Sequence, residues 1–367
     1  MRLRTLGCLV LLSIIFVPLV GLANVPRYSA EMELLGGVLS QTSWTQEHGP
    51  VGSGNEYFRA LQDFFTPYKN HEAVRLAQAL TKSGFTYDAP PGFACHLRPL
   101  PGLELAHEYS EYLVKRAGGR QKLEDFRLAL KDLAQESNFL QFWEEWEPYL
   151  DEVLADTVQG FRSEAITKWL EDFFGWSAEE FHLLMTPSMF PGGGYGATVE
   201  TAEGRMIAYQ IIRENGVSQG KPEFPTGVSL EHLTVHELGH AFVNPSLEAY
   251  SERAKKLRPL LVPVRQVMKN QAYPTVTIFL NEQVLRGVEI MAARDLFEPE
   301  MEMRLINYHE ERGFYLIRYV VEQLEFYENN RDLYPTFQEF VPYLYDQLDL
   351  YQREHSTWQE RFLGNFL

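Results

Sequence analysis

Cysteine is nearly absent from this chain of 367 residues, which contains only Cys8 and Cys95. Cys8 lies in an N-terminal apolar segment with the pattern of a removable signal, which leaves one cysteine in the remaining chain. A single cysteine cannot form an internal disulfide, so the fold must be stabilised by its hydrophobic core. A chain of this length that is rich in Phe and Tyr can bury a large core. Cys95 is predicted to be a small buried apolar residue.

Long apolar runs are also scarce, and the main one is N-terminal. Arg2 and Arg4 precede the apolar residues 6–20, and the small-residue end Gly21-Leu22-Ala23 follows. This pattern is typical of a secretory signal peptide, residues 1–23, and predicts a periplasmic or secreted protein. The alternative is an uncleaved signal that anchors the chain. No other segment approaches membrane-spanning length, so no stable membrane insertion is expected after signal cleavage.

Acidic residues outnumber basic residues in this chain. The chain has 33 Lys and Arg against 50 Asp and Glu, and its net charge is −17. Removal of residues 1–23 takes away basic residues and no acidic one. Such a charge disfavours nucleic acids and anionic membrane surfaces as partners.

The sequence His236-Glu237-Leu238-Gly239-His240 is an HExxH motif within an apolar stretch that is predicted to be helical. Residues at i and i+4 lie on one helix face, so His236 and His240 can bind the same metal ion. Glu237 would lie beside that ion, where a carboxylate can take a proton from water. The motif therefore predicts a zinc site with an adjacent base.

Residues around the motif support a helix that starts at an N-cap, Ser229, and stops at Asn244-Pro245. Apolar residues cover most of its surface. Ionisable groups in such a helix are costly unless they have partners, which favours a metal site. The alternative is a pair of core histidines with satisfied hydrogen bonds.

A catalytic zinc needs a third protein ligand. Helical periodicity continues over residues 281–296, and this segment offers Glu282 and Glu289, while Glu248 is a weaker candidate. Glu282 and Glu289 are seven residues apart, so they share a helix face, and periodicity cannot choose between them. Arg286, at i+4 from Glu282, is placed to hold its carboxylate.

In these features the chain resembles the gluzincin metallopeptidases, in which a Glu on a second helix, often preceded by Asn, follows HExxH. Asn281-Glu282 matches that pair. The resemblance implies that His236, His240 and Glu282 hold Zn²⁺, that Glu237 is the base, and that Asn281 and Arg286 support the ligands. Arg286-Gly287 departs from the thermolysin-type pattern, and the intervening segment is long. The metzincin pattern fails because no His lies between His240 and His309.

The chain also resembles a family of exported bacterial proteins of uncharacterised function that carry HExxH. The resemblance rests on residues 56–91, the Phe242-Val243-Asn244-Pro245 sequence, Asn281-Glu282 and residues 331–335. It implies a zinc peptidase and names no substrate.

Further catalytic roles follow from the gluzincin resemblance. Such enzymes commonly stabilise the oxyanion with a His or Tyr beyond the third ligand. Tyr308 and His309 are the nearest such pair, and Tyr315 is an alternative. A strand at residues 206–212 would border the cleft and could pair with an extended peptide. The Gly-rich residues 192–196 could form a mobile lip that brings Tyr195 to the site, although an ordinary loop with a packed Tyr is the alternative.

Hydrophobic patterning predicts the remaining elements. The predictions are a strand over residues 30–39, helices over 55–83 with a break near Pro67, an irregular segment over 88–102, helices over 103–174 with breaks near Gly118-Gly119 and Pro148, an irregular segment over 187–196, a hairpin of strands 198–200 and 206–212, and mostly helices after residue 247.

Together these patterns predict an α+β, mainly helical fold of zincin-like form, with a small mixed sheet ahead of the HExxH helix and a helical half after it. After the signal, residues 24–185 form a helical N-terminal part and residues 186–367 the catalytic part, packed as one compact unit.

The predicted function is a zinc-dependent metallohydrolase, a peptidase with a peptide or protein substrate. Two alternatives stay open: a catalytically silent zinc-bearing binding protein, and a metal-free helical interaction protein. The sequence predicts neither the oligomeric state nor the cleavage specificity.

Overall fold

The structure is a computed structural model that describes residues 24–48, 54–188 and 194–364. The helices of these residues are α1 (Ala30–Ser40), α2 (Ser43–His48), α3 (Glu56–Phe65), α4 (Glu72–Lys82), α5 (Ala89–Ala94), α6 (Glu111–Ala117), α7 (Arg120–Glu136), α8 (Phe139–Thr157), α9 (Ser163–Phe174), α10 (Gly227–Glu248), α11 (Ser251–Lys256), α12 (Arg265–Asn270), α13 (Val276–Leu296), α14 (Pro299–Glu311), α15 (Ile317–Asn329), α16 (Phe337–His355) and α17 (Trp358–Gly364). The strands are β1 (Glu180–Thr186), β2 (Gly194–Glu200), β3 (Met206–Arg213), β4 (Gly216–Ser218) and β5 (Lys221–Glu223).

The main sheet has three strands in the order β1-β3-β2. β3 pairs in parallel with β1, where Leu184 lies opposite Ile211. It pairs in antiparallel fashion with β2, where Tyr195 lies opposite the same Ile211. β4 and β5 form a separate small hairpin. The sheet is therefore mixed, as predicted, and β3 is its central strand.

The three-stranded sheet lies between two hydrophobic cores. Helices α1 and α3–α8 build the first core together with sheet residues such as Val199 and Ile211. Helices α9–α16 build the second core together with sheet residues such as Phe181 and Ala208. Side chains of successive strand residues point to opposite faces of a sheet. One short sheet can therefore contribute apolar side chains to both cores.

The predicted fold class is confirmed. The chain is mainly helical, a small mixed sheet precedes the long helix α10, and a helical half follows it. The helices on either side of Pro67, the break at Gly118-Gly119 and the hairpin of β2 and β3 are also confirmed. Cys95 is buried and free, as predicted.

The strand predicted over residues 30–39 is wrong, because these residues form the helix α1. Ser29 caps this helix by accepting a hydrogen bond from the backbone N–H of Met32 at 3.2 Å. Nine of its eleven residues are buried, including Gly36 and Gly37, which let neighbouring side chains approach. A helix buried on nearly all sides shows no helical periodicity, and a short apolar run of this kind resembles a strand.

Three other segment predictions were incomplete. Residues 88–102 are not wholly irregular, because they contain α5. Pro148 lies inside α8 and does not break it. Strand β1 was not predicted, and β2 begins within the segment predicted to be irregular. Short elements contain too few residues to show a periodic hydrophobic pattern. Pairing and packing with distant segments therefore determine whether they form a helix or a strand.

The limits of the motif helix also differ from the prediction. Thr226, not Ser229, is its N-cap residue, and the helix continues past Pro245 to Glu248. Proline removes one backbone donor but does not forbid the turn that follows it. Here Ser246 and Leu247 are buried, and the Ser246 hydroxyl donates to the Phe242 carbonyl at 2.7 Å. Packing of this last turn extends the helix.

The predicted edge strand over residues 206–212 is corrected by the sheet order. These residues lie in β3, whose two sides pair with β1 and β2. A central strand has no free edge for a peptide. Within the described residues, β2 is the strand with an unpaired side near α10.

The described helices include none that is both long and apolar enough to cross a membrane. The predicted signal peptide, residues 1–23, lies outside the described residues.

Glu33 on α1 provides a test of the buried N-terminal core. Its side chain is fully buried, and burial raises the pKa of Glu33 to about 8, although Ser188 and Tyr57 lower it in part. A carboxyl with a raised folded-state pKa stabilises the fold fully below its unfolded pKa near 4.5 and loses this contribution as pH rises through about 8.

We therefore expect Glu33→Gln to change the free energy of unfolding little at pH 5 and to raise it relative to wild type at pH 9. The gain should be roughly 1–4 kcal/mol, since the ionised carboxylate would be buried only in wild type. Urea denaturation at both pH values measures this. Glu31→Gln, at a partly exposed position on the same helix, is the matched control. An equal difference between Glu33→Gln and wild type at both pH values would contradict the prediction.

Candidate metal centre

The site is built where helices α10 and α13 pack together. Gly239, the fourth residue of the HExxH motif, faces Leu285 of α13, and a Cβ at Gly239 would collide with the Leu285 side chain. Glycine lets the two helix backbones come close at this point. Polar side chains of α10 and α13 meet at this helix–helix contact, and the core around them is apolar.

His236, His240 and Glu282 meet in that space. Their ligand atoms all lie within 4.8 Å of one another, and the group could hold a metal ion. The two imidazole rings lie 4.9 Å apart between centroids and are nearly perpendicular, at 83°. His240 Nε2 is 3.7 Å from Glu282 Oε1. The structure thus brings together the three residues that the motif and the resemblance predicted as ligands.

The Nδ1 atom of each histidine has a protein partner. His236 Nδ1 contacts the Glu289 carboxylate, and an ionised carboxylate only accepts hydrogen bonds, so His236 donates. His240 Nδ1 lies 3.3 Å from Asn244 Oδ1, which also accepts from Asn281 Nδ2 at 3.2 Å. Partners of this kind fix the ring orientation and leave Nε2 for a metal. Asn281 therefore supports His240 through Asn244.

Glu289 and His236 influence each other's charge. Burial lowers the pKa of His236, but the Glu289 carboxylate outweighs this and raises it to about 9. Burial likewise opposes ionisation of Glu289, yet His236 and His232 hold its pKa well below the usual range. Glu289 is thus an ionised hydrogen-bond partner of His236. Glu248, the weaker candidate ligand, is exposed at the end of α10 and lies outside the His–His–Glu group.

Arg286 holds Glu282, as the sequence spacing predicted. Its guanidinium donates to Glu282 Oε2 and lies 4.2 Å above the Phe314 ring, and both charged side chains are only 7% exposed. Burial raises the pKa of Glu282, but Arg286 and the two histidines outweigh it, so the pKa is lowered. The ionised carboxylate keeps its second oxygen, Oε1, toward His240.

Glu237 lies between α10 and strand β2. A Cβ at Gly194 would lie 2.7 Å from Glu237 Oε1, and a Cβ at Gly196 would collide with the Glu237 carbonyl oxygen. The two glycines therefore let β2 lie directly on the motif. Burial raises the pKa of Glu237 to about 7, while His236 lowers it in part. A carboxyl in this range can both accept and return a proton near neutral pH.

The group is open to solvent on one side. The side chains of His236 and His240 are 15% and 18% exposed, whereas Glu282 is nearly enclosed. Structural zinc sites are closed by four protein ligands, and catalytic sites keep a position for water or substrate. Two of the three candidate ligands, His236 and His240, are thus partly accessible to solvent.

Tyr195 lies on the other face of β2. The Cβ positions of its neighbours Gly194 and Gly196 face α10, and successive strand residues alternate, so the Tyr195 side chain points into the first core. Gly192 and Gly193, part of the predicted lip, lie outside the described residues. The catalytic role of Tyr195 stays a prediction that this placement does not favour.

The predicted oxyanion residues lie elsewhere. Tyr308 is 49% exposed, and its hydroxyl accepts from Arg312. His309 is buried, with Nε2 3.3 Å from Glu289 Oε2. The Tyr315 hydroxyl donates to the Leu260 carbonyl at 2.7 Å. None of the three side chains joins the His–His–Glu group in the described part of the chain, and their role in catalysis stays a prediction.

Sequence reasoning missed three contributors to the site. The sequence predicts Glu289 as a rival ligand and not as the partner of His236. It predicts no contact with a histidine for Asn244 and no role for His232. His232 stands at i−4 from His236, so helical spacing places it on the same face. That signal was available in the sequence, whereas the pairing of Asn244 with Asn281 depends on how α10 meets α13.

Close packing of β2 on the motif gives a test. A methyl group at Gly196 would meet the Glu237 carbonyl oxygen and lie 2.9 Å from His240 Cβ. We expect Gly196→Ala to lower the free energy of unfolding by roughly 1–3 kcal/mol, because β2 must move away from α10. In Gly92→Ala, the control, the nearest atom outside the local backbone would be an ordinary 3.6 Å away. Denaturant unfolding measures both variants, and equal stabilities would refute the close approach.

The chain was compared with known protein families, curated proteins and solved structures. No curated protein and no solved structure matches the chain significantly. One family model matches residues 37–346, which includes the sheet, the His–His–Glu group and Glu289. Since this match covers well over half of the sequence, the chain belongs to the family described as Domain of unknown function (DUF4932).

Proposed function

We propose that this protein is a zinc-dependent hydrolase that cleaves peptide bonds, with His236, His240 and Glu282 as metal ligands and Glu237 as the proton-transferring base. One observation carries the proposal. Both histidines have Nδ1 engaged by a neighbour, and both lie with Glu282 in a group whose ligand atoms are within 4.8 Å of one another.

The donor set fits zinc. Two imidazole nitrogens and one carboxylate oxygen form a common ligand set of catalytic zinc sites, whereas calcium and magnesium prefer oxygen donors alone. Hydrogen-bonded partners behind the ligands are the second requirement of such sites, and Glu289, Asn244 and Arg286 supply them. The residues present therefore suit the ion.

Zinc bound by these ligands would supply Lewis-acid chemistry, which lowers the pKa of water and polarises a carbonyl group. Glu237 follows the first ligand in the chain, and its carboxylate is buried against β2. It would take a proton from the attacking water and later deliver one to the leaving amine. Arg286 keeps Glu282 ionised and oriented, and Glu289 keeps the proton of His236 on Nδ1.

The unpaired side of β2 is the best candidate for substrate binding. β2 is an edge strand in the described sheet, and it lies on α10 beside Glu237 and His240. An extended peptide can add to such an edge through main-chain hydrogen bonds. This mode recognises the peptide backbone, which supports a peptide over a small ester or amide as substrate.

The role of the base is tested by Glu237→Gln. We expect this variant to keep its fold and bound zinc but to lose peptide hydrolysis by roughly two orders of magnitude or more, because an amide cannot accept the proton. Elemental analysis and turnover of a mixed peptide library measure the two properties. Glu248→Gln, at the exposed end of the same helix, is the control and should retain both.

Two outcomes would contradict the proposal. If wild-type protein binds zinc but cleaves no peptide in the library, a zinc-bearing binding protein is the better description. If it takes up no zinc after dialysis against the metal, a helical interaction protein is the better description.

The ligand role of Glu282 is tested separately. We expect Glu282→Gln to lower zinc affinity by roughly tenfold or more, since a neutral amide replaces a charged ligand. A competition titration against a chromophoric chelator measures the affinity, with Glu248→Gln again as the control. Unchanged affinity in Glu282→Gln would remove this residue from the ligand set.

A further inference from the structure

A second group of metal-ligating side chains lies beside the first. His232 is on α10, Glu289 on α13 and His309 on α14, and their ligand atoms are all within 4.8 Å of one another. His232 Nε2 is 2.9 Å from Glu289 Oε2, and His309 Nε2 is 3.3 Å from the same oxygen. Two imidazoles from different helices thus converge on one carboxylate oxygen.

His309 has no hydrogen-bond partner at either ring nitrogen in the described part of the chain, although the residue is only 3% exposed. Its contact with Glu289 has the distance of an ion pair without the geometry of a hydrogen bond. Buried polar groups are almost always paired, and an exception requires an explanation such as a ligand. A cation between the two imidazoles and the carboxylate would bind one of the two unpartnered nitrogens of this buried ring.

A third cluster of similar composition lies at the surface and provides a comparison of carboxylate exposure. His71, Asp132 and Glu136 also lie within reach of a common ion, but the side chains of Asp132 and Glu136 are 73% and 59% exposed. Water can solvate those carboxylates. Glu289, in contrast, is 2% exposed and cannot be solvated in this way. Burial therefore distinguishes the cluster of His232, Glu289 and His309.

We propose that His232, Glu289 and His309 bind a second divalent transition-metal ion, separate from the ion held by His236, His240 and Glu282. Two nitrogen donors and one carboxylate favour zinc and similar metals over calcium or magnesium. The two sites are connected, because one oxygen of Glu289 contacts His236 and the other faces His232 and His309. The second ion would join α10, α13 and α14 and fix Glu289 behind the first site.

Metal content of the full-length protein tests this proposal with zinc alone as the probe. Zinc-depleted protein is dialysed against excess Zn²⁺, freed of unbound metal by gel filtration and analysed for zinc per chain. We expect wild type to retain two ions. His309→Gln should retain one, because a neutral amide is a much weaker zinc ligand than an imidazole nitrogen, and His240→Ala should also retain one. The double variant should retain none.

Two further variants complete the test. His71→Gln removes a histidine from the exposed cluster and should retain two ions. His232→Gln changes a side chain that is 25% exposed, so it provides an independent result if circular dichroism shows that His309→Gln does not fold. It should retain one ion.

The outcomes separate this proposal from the proposed function. If His309→Gln or His232→Gln retains as many ions as wild type while His240→Ala loses one, the second site is refuted and the first stands. If His240→Ala retains as many ions as wild type and His309→Gln loses one, the second site is supported and the first is refuted.

Discussion

The close packing of α10 on α13 is the constraint on which the site depends. Neither helix holds the complete His–His–Glu group, since His236 and His240 come from α10 and Glu282 comes from α13. At Gly239 the absence of a side chain lets Leu285 lie against the α10 backbone. A wider separation would move Glu282 out of reach of His240 and Glu289 out of reach of His236. Apolar packing around this crossing therefore sets distances between charged groups.

The second constraint on the site is the balance between its buried carboxylates and the positive charges beside them. Glu237, Glu282 and Glu289 are all buried, and the nearby permanent cation is Arg286, which pairs with Glu282 alone. Burying carboxylates is costly unless positive charge lies close by. His236 contributes part of that charge by its contact with Glu289. The positive charge of His236 depends on its second proton, which must leave Nε2 before that nitrogen can bind a cation, so a bound divalent cation would replace the charge that this proton supplies.

Sequence patterns predicted those parts of the molecule that are determined locally. The spacing of the motif placed both histidines on one face, and the i+4 spacing of Arg286 placed it on Glu282. The strand predicted for α1 failed because its burial on nearly all sides hides helical periodicity. The position of β3 in the sheet centre, and the contact of Glu289 with His236, depend on how distant segments pack. Neither follows from local spacing, because a helix face does not reveal what lies opposite it.

The shared sheet has a consequence for how the chain is made. Helices α1 and α3–α8 precede the sheet in the sequence, yet one face of that sheet closes their core. Synthesis runs from the N-terminus, so these helices emerge with an apolar surface that has no cover until β3 is complete. The parallel partner of β3, strand β1, must also wait for the intervening β2 to emerge. Transiently exposed surfaces of this kind attract chaperones and promote aggregation. The first half of the molecule is therefore a poor candidate for production as a separate fragment.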